Sequence, residues 1–170
     1  MAATDTHTSS KGNERRQLVH LAPGDGETVR TPTGPALTFK LRGAQSGGAV
    51  AAWENVVAPG EGPPLHVHKD QDEIWYPLEG SFRFTLGGYM SAAQPGAFVY
   101  IPRGIVHTWQ NIGQMPGRFL VVMTPAGFET FFDRFAELQS DGPPIEAFSR
   151  LGPGVGLTVV GPPLSESHPL

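Results

Sequence analysis

The placement of glycine and proline constrains this fold more than any other sequence feature. The chain has 22 glycines and 17 prolines in 170 residues, grouped in short clusters between apolar runs. Gly47-Gly48, the loop Pro59 to Pro64, Gly87-Gly88, Pro95-Gly96 and Pro102-Arg103-Gly104 are the clearest clusters. Proline fixes φ and removes an N–H donor, and glycine opens turns closed to other residues. The segments between clusters can therefore only be short, and short segments joined by tight turns read as β-strands. Ser81 to Leu86 shows the period: Phe82, Phe84 and Leu86 alternate with Ser81, Arg83 and Thr85, as on a half-buried strand.

The same reading places strands at Gln17–Leu21, Ala36–Leu41, Ala49–Val57, Leu65–His68, Asp72–Leu78, Ala97–Ile101, Ile105–Asn111 and Arg118–Thr124. About nine short strands at close spacing argue an all-β antiparallel sandwich or barrel. The period then changes. Phe128, Phe131, Phe132, Phe135 and Leu138 recur at helical spacing, which predicts an amphipathic helix over about 126–139 lying on the barrel. Asp141 to Pro144 ends it, and a short helical turn is expected at Ile145–Leu151. The length suits one domain over 17–164, with a disordered segment at 1–16 and a polar tail at 165–170.

Composition narrows the function classes. The formal net charge is -4, charged residues make up 16%, and no Lys/Arg cluster appears, which disfavours nucleic-acid partners. No apolar run is long enough to span a bilayer, and the N-terminus lacks a signal-type apolar core. A cytoplasmic location is therefore expected, with no membrane partner. The absence of cysteine excludes disulfides, thiolate metal sites and a cysteine nucleophile.

The chemistry gathers in Gly60 to Gly80, GEGPPLHVHKDQDEIWYPLEG. His66 and His68 alternate with Val67, so their rings share one face of a strand. Glu73 lies on the next strand, with Trp75 and Pro77 in phase, and His107 follows the Pro102–Gly104 turn with Trp109 in phase. A His-x-His pair alone is more often a surface or core pair than a metal site. Imidazoles joined by a carboxylate suit a divalent transition ion (Mn, Fe, Co, Ni, Cu or Zn), and an open coordination position would make it catalytic. Trp75, Phe84, Trp109, Trp53 and Phe39 are the candidate substrate wall, although aromatic residues at such places are more often core. The Phe128–Phe135 stripe reads as a packing face of the helix.

Two spaced motifs extend this reading. Gly60, His66, His68, Glu73 and Gly80 fill G-x5-H-x-H-x4-E-x6-G, and Gly96, Pro102, Gly104, His107 and Asn111 fill G-x5-P-x-G-x2-H-x3-N. In both, the chain resembles the cupins, specifically the small single-domain quercetinase-like members. The resemblance implies a jelly-roll barrel whose mouth holds one metal on His66, His68, Glu73 and His107. It implies a small-molecule substrate of aromatic or enolic type and an enzyme that uses dioxygen, with Glu73 as general base. Related small cupins act instead as metal-dependent cyclases or isomerases of polyketide-like molecules, and others bind small ligands without catalysis. Small cupins are often homodimers, which sets the expected assembly. Asn111 and the motif glycines and prolines are expected to be structural.

Overall fold

A computed structural model describes residues 16–32, 34, 36–138 and 144–170. The disordered segment expected at 1–16 lies outside them except for residue 16, as does the expected helix stop at 141–143. The elements in chain order are β1 (Glu27–Val29), β2 (Ala36–Leu41), α1 (Gly43–Ser46), β3 (Ala51–Val57), β4 (Pro64–His68), β5 (Asp72–Glu79), β6 (Phe82–Leu86) and β7 (Tyr89–Ala93). They continue as β8 (Val99–Ile101), β9 (His107–Asn111), β10 (Gly117–Thr124), α2 (Thr130–Ala136), α3 (Pro144–Leu151), β11 (Leu157–Pro163) and α4 (Leu164–Ser167).

The strands form two sheets. One has the order β1-β2-β3-β10-β5-β8 and the other β11-β4-β9-β6-β7. Every recorded pairing is antiparallel. The sheets face each other across a core of inward residues, as the alternation predicts: Trp53, Trp75, Phe82, Phe119 and Val121 are all buried. This is the expected all-β jelly roll.

Four differences from the sequence reading have local causes. Gln17–Leu21 is irregular rather than a strand, and the first strand is Glu27–Val29. Tyr89–Ala93 pairs with β6 as an edge strand, where four of five residues are exposed and no alternation marks it. Leu157–Pro163 pairs with β4 despite Gly161, Pro162 and Pro163. As an edge strand it tolerates missing donors, and its register shifts twice. The Phe-rich helix is shorter than its period, running Thr130–Ala136, because residues before it are tied into a loop. There the buried Glu129 carboxylate accepts hydrogen bonds from the N–H groups of Gly43 (2.9 Å) and Gly127 (2.6 Å). Gly43 can approach so closely only without a side chain, since a Cβ there would lie 2.6 Å from Glu129 Oε1.

Asn111 closes the end of the sandwich. Its Nδ2 donates to the carbonyls of Val57 (2.9 Å) and Met115 (3.0 Å), and its Oδ1 accepts from Gly113 N–H (2.8 Å). The residue is fully buried. Replacing it removes partners from buried backbone groups, each costing about 1–3 kcal/mol. Asn111→Ala is expected to lower the urea midpoint by an amount equivalent to about 2–4 kcal/mol, with the m-value unchanged.

Candidate metal centre and cavity

The four candidate ligands come from both sheets. His66 and His68 alternate inward on β4, and His107 sits opposite His66 on β9. Glu73 enters from β5 in the other sheet, where it is registered against Ile101 and Met123. All four are buried, with His107 1% and His68 2% exposed. One donor atom from each lies within 4.8 Å of every other. Ligand bonds of about 2.1 Å place donors about 3–4 Å apart around one ion, close to this spacing.

Hydrogen bonds orient the rings. His66 Nδ1 lies 2.7 Å from the Pro64 carbonyl, and His107 Nδ1 lies 2.8 Å from the Ile105 carbonyl. A carbonyl only accepts, so each Nδ1 carries its proton and Nε2 is left toward the centre, the arrangement usual for metal-binding histidines. His107 Nε2 then faces Glu73 Oε2 at 3.0 Å, and His68 Nε2 lies 3.5 Å from the same oxygen. An imidazole lone pair and a carboxylate oxygen repel at that distance. Two species complete the arrangement: a second proton on His107, or a cation held between the two groups. The donor set and these facing lone pairs fit a divalent transition metal held by His66, His68, Glu73 and His107.

Burial sets the electrostatics. It pushes the His66 pKa well below the ordinary histidine value, with His107 and His68 adding to the effect. Burial likewise takes His68 down to about 4, against the pull of Glu73. Burial works to raise the pKa of Glu73, but His107, His68 and the Trp75 N–H outweigh it and hold the carboxyl below its ordinary value. At neutral pH the centre therefore presents neutral His66 and His68 with an ionised Glu73, the protonation states that metal ligation requires.

A cavity of about 520 Å³ opens over this cluster. Of the five aromatic residues proposed for its wall, the structure brings two: Trp53 and Trp109. Trp75 is instead hydrogen-bonded through Nε1 to Glu73 Oε1 at 2.6 Å and positions the carboxylate. With Phe84, it borders a separate void of about 10 Å³ in the core, room for no more than a water molecule. Phe39 packs behind Trp53 and Phe132 without lining the cavity. The stripe read as helix packing supplies much of the missing wall. Phe128, Phe132 and Phe135 are buried and line the cavity, joined by Phe148 from α3. Phe128 stands edge-on to His68 at 4.6 Å and Phe148 lies 6.3 Å from His66. Their helical period was legible, but which wall they would complete depends on how the helices cross the barrel. Asn55 also lines the cavity, an inward polar residue that alternation alone assigns to the core.

The class that fold and site define is a jelly-roll protein with a three-histidine, one-carboxylate centre facing an apolar cavity. Comparison with known proteins agrees: residues 53–123 match the cupin domain family, and the fold is that of the cupin superfamily. An RmlC-like cupin from Shewanella frigidimarina superposes with a TM-score of 0.56 at 17% identity, covering 68% of this chain and 99% of that one. A predicted oxalate decarboxylase from Thermotoga maritima gives 0.54 at 23% identity, covering 64% and 99%. Among curated proteins, mannose-1-phosphate guanylyltransferase 2 of Escherichia coli O157:H7 is 34% identical over 61 residues. That segment is 36% of this chain but only 13% of the enzyme's length. Among the described residues, no helix is long and apolar enough to cross a membrane.

The depressed histidines give a pH dependence with a fixed sign. Unfolded histidine takes up protons below about pH 6.5, while folded His66 and His68 resist them until lower pH. The unfolded state therefore binds more protons between about 6.5 and 4, and stability falls as pH drops through that window. The metal-free protein should lose stability on the order of 3 kcal/mol there. Thermal melts at stepped pH read the slope, and His68→Asn should flatten it.

Proposed function

We propose that this protein is a metal-dependent cupin enzyme acting on a flat aromatic or enolic small molecule, with a quercetinase-like dioxygenase reaction as the specific activity. The observation that carries this reading is the pairing of the buried His66–His68–Glu73–His107 cluster with an apolar, phenylalanine-rich cavity of about 520 Å³. That volume lies in the ordinary range for small-molecule sites. It suits a ring system far better than a two-carbon acid.

A divalent metal bound at the cluster would supply Lewis-acid stabilisation of an enolate or phenolate and an open position beside it. The chain's own residues do the rest. Phe128, Phe132 and Phe148 hold the ring of the substrate and exclude water from its reactive edge. Glu73 Oε2 faces the cluster while Oε1 is fixed by Trp75. An ionised carboxylate so placed takes the proton of the substrate's hydroxyl. The proton must move for the substrate to react as its anion. Removing the base is therefore expected to cost on the order of 10²–10⁴ in rate.

The test is oxygen uptake by metal-loaded protein supplied with flavonols and related aromatic enols. Uptake with a matching yield of cleaved product is the expected outcome, and Glu73→Gln should reduce kcat at least about a hundredfold. Unchanged uptake in that variant would remove Glu73 from the mechanism. Turnover that continues without oxygen would replace the dioxygenase reading with a cyclase or isomerase one, which the same cavity and base could support.

A further inference from the structure

The cavity contains polar groups that the metal chemistry does not use. Among the described residues, four buried side-chain polar atoms lack a hydrogen-bond partner: Trp53 Nε1, Asn55 Oδ1, His68 Nδ1 and Gln71 Oε1. Three of these four residues line this one cavity. Trp53 is 2% exposed and Asn55 5%, so bulk water does not satisfy them. An unpaired buried donor or acceptor costs about 1–3 kcal/mol, and such groups in a native fold call for a specific partner.

Their position along the sheet gives the partner's reach. Glu73 is registered opposite Met123, Trp53 opposite Val121 and Asn55 opposite Phe119. Trp53 thus lies two strand positions and Asn55 four beyond the Glu73 row, about 7 Å and 14 Å along the sheet. Both point inward on β3, where Ala51, Trp53, Asn55 and Val57 alternate as buried residues. One atom is a donor, the indole N–H, and the other an acceptor, the carboxamide oxygen. A hydroxyl group is the simplest partner for both, since it accepts one hydrogen bond and donates another.

We propose that Trp53 and Asn55 form a hydrogen-bonding subsite that reads a hydroxyl on the far end of an elongated aromatic substrate. The inference rests on the cavity being the substrate site and narrows the substrate class. The molecule would carry an enol or phenol for the metal cluster and a second hydroxyl about two rings away. A site built to bond a hydroxyl rejects analogues lacking it, because its own buried groups stay unpaired.

Calorimetric binding of 3-hydroxyflavone and 3,4′-dihydroxyflavone to the full-length, metal-loaded protein tests this. The two probes share the enol end and differ only by the distal hydroxyl. The wild type is expected to prefer the dihydroxy compound at least roughly tenfold. Trp53→Phe and Asn55→Leu should each reduce that preference to within roughly twofold. In the wild type, the Trp53 indole N–H resonance should move downfield with the dihydroxy probe alone, a readout that needs the variant only for assignment. Equal binding of both probes by the wild type, as when a trapped water satisfies the pair, overturns the subsite. So does equal loss of both probes in the variants, which marks a packing role. Failure of both probes to bind overturns the subsite together with the aromatic-enol reading. Discrimination without oxygen uptake leaves the subsite standing and removes only the dioxygenase reaction.

Discussion

The structure depends on one carboxylate reaching across the sandwich. Three imidazoles project from β4 and β9 of one sheet, and Glu73 meets them from β5 of the other. Any change in sheet spacing or crossing angle would move Glu73 relative to His107, now 3.0 Å away. The carboxylate is itself fixed from behind by the Trp75 indole. Core packing therefore sets site geometry directly: Trp75 contacts Phe84 and Phe119, and Phe119 contacts Phe82 and Trp109. This aromatic block is the spacer that holds the two sheets at the distance the centre needs.

The aromatic shell also sets the chemistry. Phe128 covers one flank of His68, and Phe148 lies beside His66. Excluding water there holds both imidazoles neutral, since a charged ring would lose its hydration without full compensation. The same exclusion strengthens every electrostatic interaction in the cavity. The wall phenylalanines thus act on ligand protonation and on the shape of the cavity together. This is why α2 and α3, which follow the last inner strand, matter to a centre made entirely of strand residues.

Much of this was legible in the sequence, for definable reasons. The strand period and the glycine–proline punctuation are local signals, and they located eight strands within one or two residues. His66, His68, Glu73 and His107 were legible because their spacing matches two motifs and because strand alternation puts neighbours on one face. Three strands escaped for physical reasons: β1 is too short to show a period, β7 is an edge with almost no buried face, and β11 is interrupted by Gly161, Pro162 and Pro163. The aromatic assignments fared least well. Trp53, Trp75, Phe84, Trp109 and Phe39 all point inward and are buried. Phase therefore cannot separate those facing the cavity from those facing the core. That distinction arises from where α2 and α3 lie across the barrel, which the inward faces of β3 and β5 do not encode.

Asn55 shows where inward phase and apolar core part company. A polar side chain on an inward strand position weakens a sandwich unless something satisfies it. Two other buried polar residues are fully bonded: Asn111 holds three backbone groups, and Glu129 holds two. Those residues stabilise loops and ask nothing of a ligand. Three of the four groups without partners among the described residues belong to residues that line the cavity, next to the buried cluster whose lone pairs also face one another. Most of the unmet bonding capacity among the described residues is thus concentrated in one place. That asymmetry is what the proposed hydroxyl subsite rests on, and it sets this cavity apart from an apolar void left over by imperfect packing.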